Sequence, residues 1–333
     1  MSHKGLSAIL IAVGLVYVLP HSVNADETQN TLRSAVGQSA QYLAQNQTEA
    51  AALSLVEGGI DYWMADVGES LPEWVKRFEV ETGVNSDGDF NWSVLTVQPL
   101  YQSDNLEHTF FTQLSQQRYD YLDLNRDVTN IGLGYRKLFA DNTVLLGANT
   151  FFDWEWERQH KRAGFGVEAK WYGLDFTGNT YYGLGGASTK GLTGDTREEV
   201  LDGYDLELGA QVPYLPWLKV YGSRYVWDSE RNNDDIKGWK TSLYADLHQN
   251  FSIEAGWQDD NFSEEEVFAL VSFRFGFGAE EKGKKPVALS TAFVTDQAWE
   301  MRDMSTHTLD KVRRNNRIVV ERVSSGVVIT RGD

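Results

Sequence analysis

Four histidines follow the hydrophobic leader of this chain, His108, His160, His248 and His307, and one of them sits among carboxylates. His160 lies close in sequence to Asp153, Glu155 and Glu157, a grouping that could relay a proton if a nucleophile or an activated water stood within hydrogen-bond reach. The nucleophile is not evident. The chain has no cysteine, which removes thiolate nucleophiles, metal–thiolate sites and disulfides. It has neither a Gly-x-Ser-x-Gly elbow nor a His-Glu-x-x-His helix, and the Gly-x-Gly at 276–278 lacks the Lys-Ser/Thr of a phosphate loop. No catalytic, cofactor-binding or metal site is therefore assigned, and His160 is read as a residue that packs a loop. The formal charge of -18 opposes nucleic-acid binding, which needs a basic surface. Acidic runs at Asp195–Glu199, Asp228–Asp235 and Asp259–Glu266 could bridge through divalent cations to lipopolysaccharide phosphates, although their spacing matches no calcium loop. The terminal Arg331-Gly332-Asp333 is an integrin-type tripeptide, but three residues carry too little information to assign a receptor.

These residues must be positioned by β structure. Lys4, the apolar run Leu6–Leu19 and the small-x-small sequence Val23-Asn24-Ala25 read as a secretory leader, residues 1–25, cleaved before Asp26. Beyond it no stretch offers the roughly 20 apolar residues of a membrane helix. Instead, 76–275 contains twelve alternating apolar/polar runs, expected near 76–83, 91–99, 107–117, 128–137, 143–153, 162–171, 173–183, 203–212, 217–227, 239–248, 250–258 and 265–275. Ile131, Leu133 and Tyr135 alternate with Gly132, Gly134 and Arg136, and Leu206, Leu208 and Ala210 with Asp205, Glu207 and Gln211. The first member of each set is expected to face lipid and the second the lumen. Thirty glycines, abundant aromatics and a mean hydropathy of only -0.41 suit a membrane barrel, in which a polar lumen masks the lipid-facing belt. Long polar links alternate with short turns, so the long links are expected outside the cell and the turns in the periplasm. Residues 26–75, with Leu43, Ala50, Leu53 and Val56 near helical spacing, predict a periplasmic helical segment that closes the barrel mouth.

The segment ANTFFDWEWERQHKRAGFGVEA at 148–169 resembles the most recognisable stretch of the intimin/invasin family, the inverse autotransporters. Its signature positions are Asn149, Phe152, Asp153, His160, Arg162, Gly164, Gly166 and Glu168. The family pattern continues in Gly132, Gly134 and Arg136, in Gly203 and Asp205, in the Leu215-Pro216 turn and in the run Val312–Glu321. The resemblance implies an all-β membrane protein, a twelve-stranded antiparallel transmembrane barrel in the bacterial outer membrane. It also implies a linker threaded out through the lumen, expected over 276–300, and a surface-exposed tail over 301–333, in which Arg313, Arg314 and Ile318–Val320 match the family's first extracellular residues. Family members carry immunoglobulin-like passenger repeats. Here the expectation is the membrane unit alone, ending in a short strand-like piece at Arg317–Thr330.

The function implied is that of a translocator associated with adhesion and invasion, displaying its own tail or a separately encoded passenger, with a host-surface ligand as a possible contact. The alternative is a plugged or weakly conducting structural barrel with no export role. Expected partners are outer-membrane lipid, lipopolysaccharide and the outer-membrane insertion machinery. That machinery would read Phe273 and Phe275 at the end of the last alternating run. Replacing Phe275 with asparagine is expected to lower the yield of heat-modifiable barrel in the outer membrane, and an unchanged yield would end that assignment.

Overall fold

Strict alternation over many residues commits a segment to a strand with one wet and one dry face. A sheet with a lipid-facing side has no tolerable edge, so it must close. The computed structural model describes residues 74–122, 124–192, 196–229, 234–248, 251–274, 296–299, 302–324 and 327–328. In chain order the strands are Phe78–Asn85 (β1), Phe90–Gln102 (β2), His108–Tyr121 (β3), Leu124–Phe139 (β4), Val144–Glu155 (β5), Lys161–Trp171 (β6), Leu174–Gly183 (β7) and Thr196–Val200 (β8). They continue as Asp202–Val212 (β9), Leu215–Asp228 (β10), Ile236–His248 (β11), Phe251–Asp260 (β12), Glu266–Arg274 (β13), Val320–Ser324 (β14) and Val327–Val328 (β15). Twelve of them form a closed antiparallel barrel in which β1 pairs with both β2 and β13. The other three, in the order β15-β14-β8, form a small sheet. No helix among the described residues is long and apolar enough to cross a membrane.

Each expected barrel strand is present. Several run further than expected toward the end that carries the long links, β3 to Tyr121 and β4 from Leu124, because their polar tips continue the ladder beyond the apolar belt. The expected strand start at Lys76 is corrected: Val75–Arg77 is a 3-10 turn, and β1 begins at Phe78. The long link 184–202 contains β8, which its acidic sequence Thr-Arg-Glu-Glu-Val did not announce. The expected leader, the helical segment up to residue 73, Phe275, residues 276–295 and the terminal Arg331-Gly332-Asp333 lie outside the described residues.

The two faces sort as the alternation requires. Ile131, Leu133, Leu206 and Leu208 are exposed on the outer wall, whereas Arg136 is 0 % exposed and faces inward. Phe273 has the parity of the exposed Val267 yet is 2 % exposed, with Val80 and Phe251 as its register partners. Tight turns predominate on the rim opposite the long links, although the link between β3 and β4 on the long-link rim is also only two residues, with Leu122 at positive φ. Ala140, Asp141 and Asn142 all take positive φ between β4 and β5, as do Tyr172 between β6 and β7 and Tyr214 between β9 and β10. That conformation matches the twist of flanking strands in the shortest hairpins.

Inward glycines make room for inward aromatic rings. A Cβ on Gly132 would stand 2.3 Å from the Phe151 ring, and one on Gly134 would stand 2.2 Å from the Phe111 ring. Both phenylalanines are nearly fully buried and belong to one cluster with Leu95, Val97 and Val312. Gly134→Val is therefore expected to destabilise the barrel by about 1–3 kcal/mol through overpacking, seen as a lower unfolding temperature in detergent. Gly222→Ala serves as the control, since a Cβ there would meet nothing within 4 Å. Equal transitions for the two variants would contradict the packing role of Gly134.

Candidate functional site

The interior of the barrel holds part of the protein's own C-terminal region. At the short-turn rim the Tyr214 amide donates to the Ala298 carbonyl (2.8 Å) and the Met304 amide to the Asn142 carbonyl (2.8 Å). Arg302 reaches Asp175 of β7 at 2.7 Å. Further along, Arg136 donates to the carbonyls of Thr308 (2.9 Å) and Asp310 (2.7 Å), and the Val312 amide donates to Gln113 (2.8 Å). Arg162 donates to the carbonyls of Asn315 (2.7 Å) and Arg317 (2.8 Å), and the Ile318 amide donates to the Tyr119 hydroxyl (2.8 Å). Lys311, Arg313 and Arg314 add partners on β1, β5, β9 and β12. A segment bonded to strands all around a closed barrel lies within it. At the far end the Leu201 amide donates to the Val319 carbonyl (3.0 Å), and β14 pairs with β8 of the long link.

The expected division at residue 300 is thereby corrected. Residues 302–319, assigned to the exposed tail, occupy the lumen, whereas 296–299 of the expected linker stand at the short-turn rim. The reason is electrostatic. Arg313 and Arg314 read as surface residues in sequence, but the inner wall carries the carboxylates that match them.

Asp153, fully buried on β5, is shared by Arg314 (2.7 Å) and Arg162 (2.8 Å) and also accepts from Asn130 (2.7 Å). Arg313 bridges Glu207 and Glu254, the latter at 3.0 Å. Lys311 meets Glu79 at 2.5 Å and Glu81 at 3.1 Å. Aromatic faces support the guanidiniums: Arg314 lies 4.2 Å from the Phe151 centroid, Arg313 lies 3.7 Å from that of Tyr221, and Arg136 lies 4.3 Å from that of Phe111. Removing one member of a buried pair typically costs about 3–5 kcal/mol, because its partner keeps an uncompensated charge. The segment is thus held by charges that it neutralises.

The signature residues fall into distinct places. Asp153, Arg162 and Gly164 surround Arg314, and a Cβ on Gly164 would stand 3.0 Å from its guanidinium. Gly166 gives room to the amides of Asn149 and Asn179, at 2.6 and 2.4 Å from a Cβ placed there. Glu168 holds Arg136 at 2.7 Å. Phe152 faces outward at 38 % exposure and contacts none of these charges. Glu207 falls on the lumen side, as its alternation with Leu206 and Leu208 predicts, whereas the alternation of Glu79 and Glu254 with their apolar neighbours is a signal of the same kind that the sequence reading does not use.

His160 is drawn to a different cluster. Its Nε2 lies 3.1 Å from Glu198 of β8 rather than on Asp153, Glu155 or Glu157. Glu198 also binds Arg126 (2.8 Å) and Arg322 of β14 (2.8 Å), while Glu155 binds Arg126 (3.1 Å) and Arg158 (2.7 Å). Burial by itself would raise the Glu198 pKa, but the hydrogen bonds from His160, Arg126 and Arg322 and the charge of Arg126 outweigh it and hold the carboxyl well below the usual range. The cluster thus fastens β14 to β8, the barrel wall and the β5–β6 link. Its contribution to stability is complete above pH 4.5, the ordinary glutamate value, and declines as the pH falls toward the depressed folded value. Glu198→Gln is expected to cost about 3 kcal/mol near neutral pH, and the gap between wild type and variant should shrink below about pH 4.5. Unfolding temperatures in detergent across pH 7 to 3 check this, and a gap independent of pH would contradict it.

The comparisons agree with this geometry. The family model for the inverse autotransporter beta-domain matches residues 27–316. The inverse autotransporter adhesin YeeJ of Escherichia coli K12 is 26 % identical over 91 % of this chain and 13 % of its own length. Intimin of Escherichia coli O127:H6 is 24 % identical over 75 % of this chain and 26 % of its own, and invasin of Yersinia enterocolitica is 29 % identical over 45 % and 18 %. The chain therefore spans only a minor part of these relatives. A barrel solved in a study of the in-meso crystallization of membrane proteins superposes with a TM-score of 0.60 at 18 % identity, covering 74 % of this chain and 99 % of that one. With the closed twelve-stranded barrel, these matches show that the chain belongs to the inverse autotransporter beta-domain family of outer-membrane barrels.

Proposed function

We propose that this barrel is an outer-membrane display module that exposes the residues after its lumen segment at the cell surface. The observation that supports the reading is the course of 302–324. This stretch enters at the short-turn rim beside Asn142, passes the Arg136, Arg314 and Arg162 contacts, and leaves as β14 beside β8 at the long-link rim. Short turns are the periplasmic feature of outer-membrane barrels and long links the outer one, so this direction of travel is outward. The adhesion and invasion named for the relatives belong to much longer proteins, and for this chain the same role rests on the residues downstream of the barrel or on a separately encoded passenger.

The alternative of a structural barrel without export draws support from the part of the lumen that the described residues leave open. A cavity of about 750 Å³ remains beside the segment, lined by Glu79, Glu81, Tyr225, Lys240 and Phe268 among others. Such a space could carry a small current or a loop contact, whereas a display role needs an accessible tail. The deciding experiment is labelling of an epitope placed after Asp333, in intact cells with lysed cells as control. Labelling of intact cells is expected. Labelling only after lysis would reject display and leave the plugged barrel.

A further inference from the structure

The outer wall carries cations where lipid should be. Arg224 of β10 is exposed, and it stands directly opposite Leu206 of β9 and Trp239 of β11, both on the lipid-facing side. Its chain neighbour Tyr225 turns inward, where its hydroxyl donates to Asp260. Lys237 of β11 is opposite Val226, two residues nearer the long-link rim, so the two cations are diagonal neighbours, with Cα atoms about 7–8 Å apart. No ion pair joins Arg224 to a carboxylate among the described residues. Among the described residues Lys237 pairs with the Asp235 carboxylate at 3.2 Å, and that pair is 49 % and 39 % exposed, too open to occupy the ammonium.

The surroundings fix the depth. Trp239 packs edge-on against Trp257 with centroids 4.1 Å apart, and Tyr204 shares the Val226–Lys237 row. Aromatics at this level mark the membrane–water interface. One step toward the bilayer centre, Gly222 lies between Leu208 and Thr241, and a Cβ there would meet nothing within 4 Å. The exposed Leu208, Val220 and Leu243 border that notch. An outward arginine is costly at the midplane and less so near the interface, so an anion at its head and a chain along its stem would offset the cost.

We propose that Arg224, Lys237 and the Gly222 notch form a binding site for a phosphorylated glycolipid of the outer leaflet. The cations take a phosphate of the headgroup, and an acyl chain runs down the notch. Planar arginine suits a phosphate geometrically, and lysine adds a point charge. The site lies on the wall opposite to the lumen contacts and does not depend on tail display, only on the long-link rim facing outward.

The test is native mass spectrometry of the full chain released from detergent micelles, with a hexa-acylated diglucosamine bisphosphate as probe. Retained adducts are expected for the wild-type chain, with a loss of about tenfold or more in the double variant Arg224→Gln/Lys237→Gln. The dephosphorylated probe should bind the wild type as weakly as the bisphosphate binds that variant. Gly222→Leu, which leaves both cations in place, should also weaken binding. Equal retention by wild type and double variant would overturn the site. Competition by an acyl-free diglucosamine bisphosphate as strong as by the lipid, or full retention in Gly222→Leu, would overturn the lipid assignment in favour of free phosphate. The exposed positions of all three residues leave folding intact, which the heat-modifiable mobility of each variant checks.

Discussion

One buried carboxylate organises much of this molecule. Asp153 has zero exposure, and it is tolerated because Arg162 from the wall and Arg314 from the lumen segment reach it together. A lone carboxylate in so narrow a space would protonate or demand water. The segment therefore does more than occupy space: it completes the electrostatics of the wall. The same logic repeats below with Glu207 and Glu254 on Arg313, and with Glu79 and Glu81 on Lys311. The wall in turn gives arginine donors to the segment's carbonyls, which have no ladder partner of their own over 308–317.

Packing and charge depend on each other through the glycines. Gly132 leaves room for Phe151, and Phe151 supports Arg314 from below at 4.2 Å. Gly134 does the same for Phe111 and Arg136. A side chain at either glycine would displace a ring, and the ring would displace a guanidinium. Positions that look like lumen filler in a strand pattern are thus two contacts away from the segment itself. This gives a physical reason for the Gly-x-Gly-x-Arg sequence of β4 that needs no catalytic or nucleotide role.

The strands were legible because alternation is enforced twice, by lipid outside and by charge inside. Ile131 and Leu133 against Gly132 and Arg136 left no second register. The lumen segment was misplaced because its residues are polar and follow no period. Nothing local distinguishes a lysine or arginine bound for a carboxylate-lined lumen from one bound for water. Its address is written in its partners, Glu79, Asp153, Glu207 and Glu254, which are up to 232 residues away in sequence. The same blindness applied to β8, since an acidic strand gains its place only from Arg126, His160 and Arg322. His160 stood near three carboxylates in sequence, and its actual partner came from a distant loop.

The unfilled cavity bears on how such a lumen could be both tight and passable. The segment's hydrogen bonds concentrate on β3 to β7, whereas the open space borders β1, β2 and β10 to β13. The open side is lined by the carboxylates of Glu79, Glu81 and Glu254 together with the ammonium groups of Lys240 and Lys311. A polar chain moving along such a wall would exchange hydrated contacts for similar ones, so no single step need cost the full desolvation of a buried ion. The expensive contacts, Asp153 with Arg314 and Glu198 with Arg322, involve residues far apart on the segment and form only in one register. On the proposed display role they therefore act as the stop: passage is cheap until the arginines reach their carboxylates, and reversal then requires leaving buried charges unpaired.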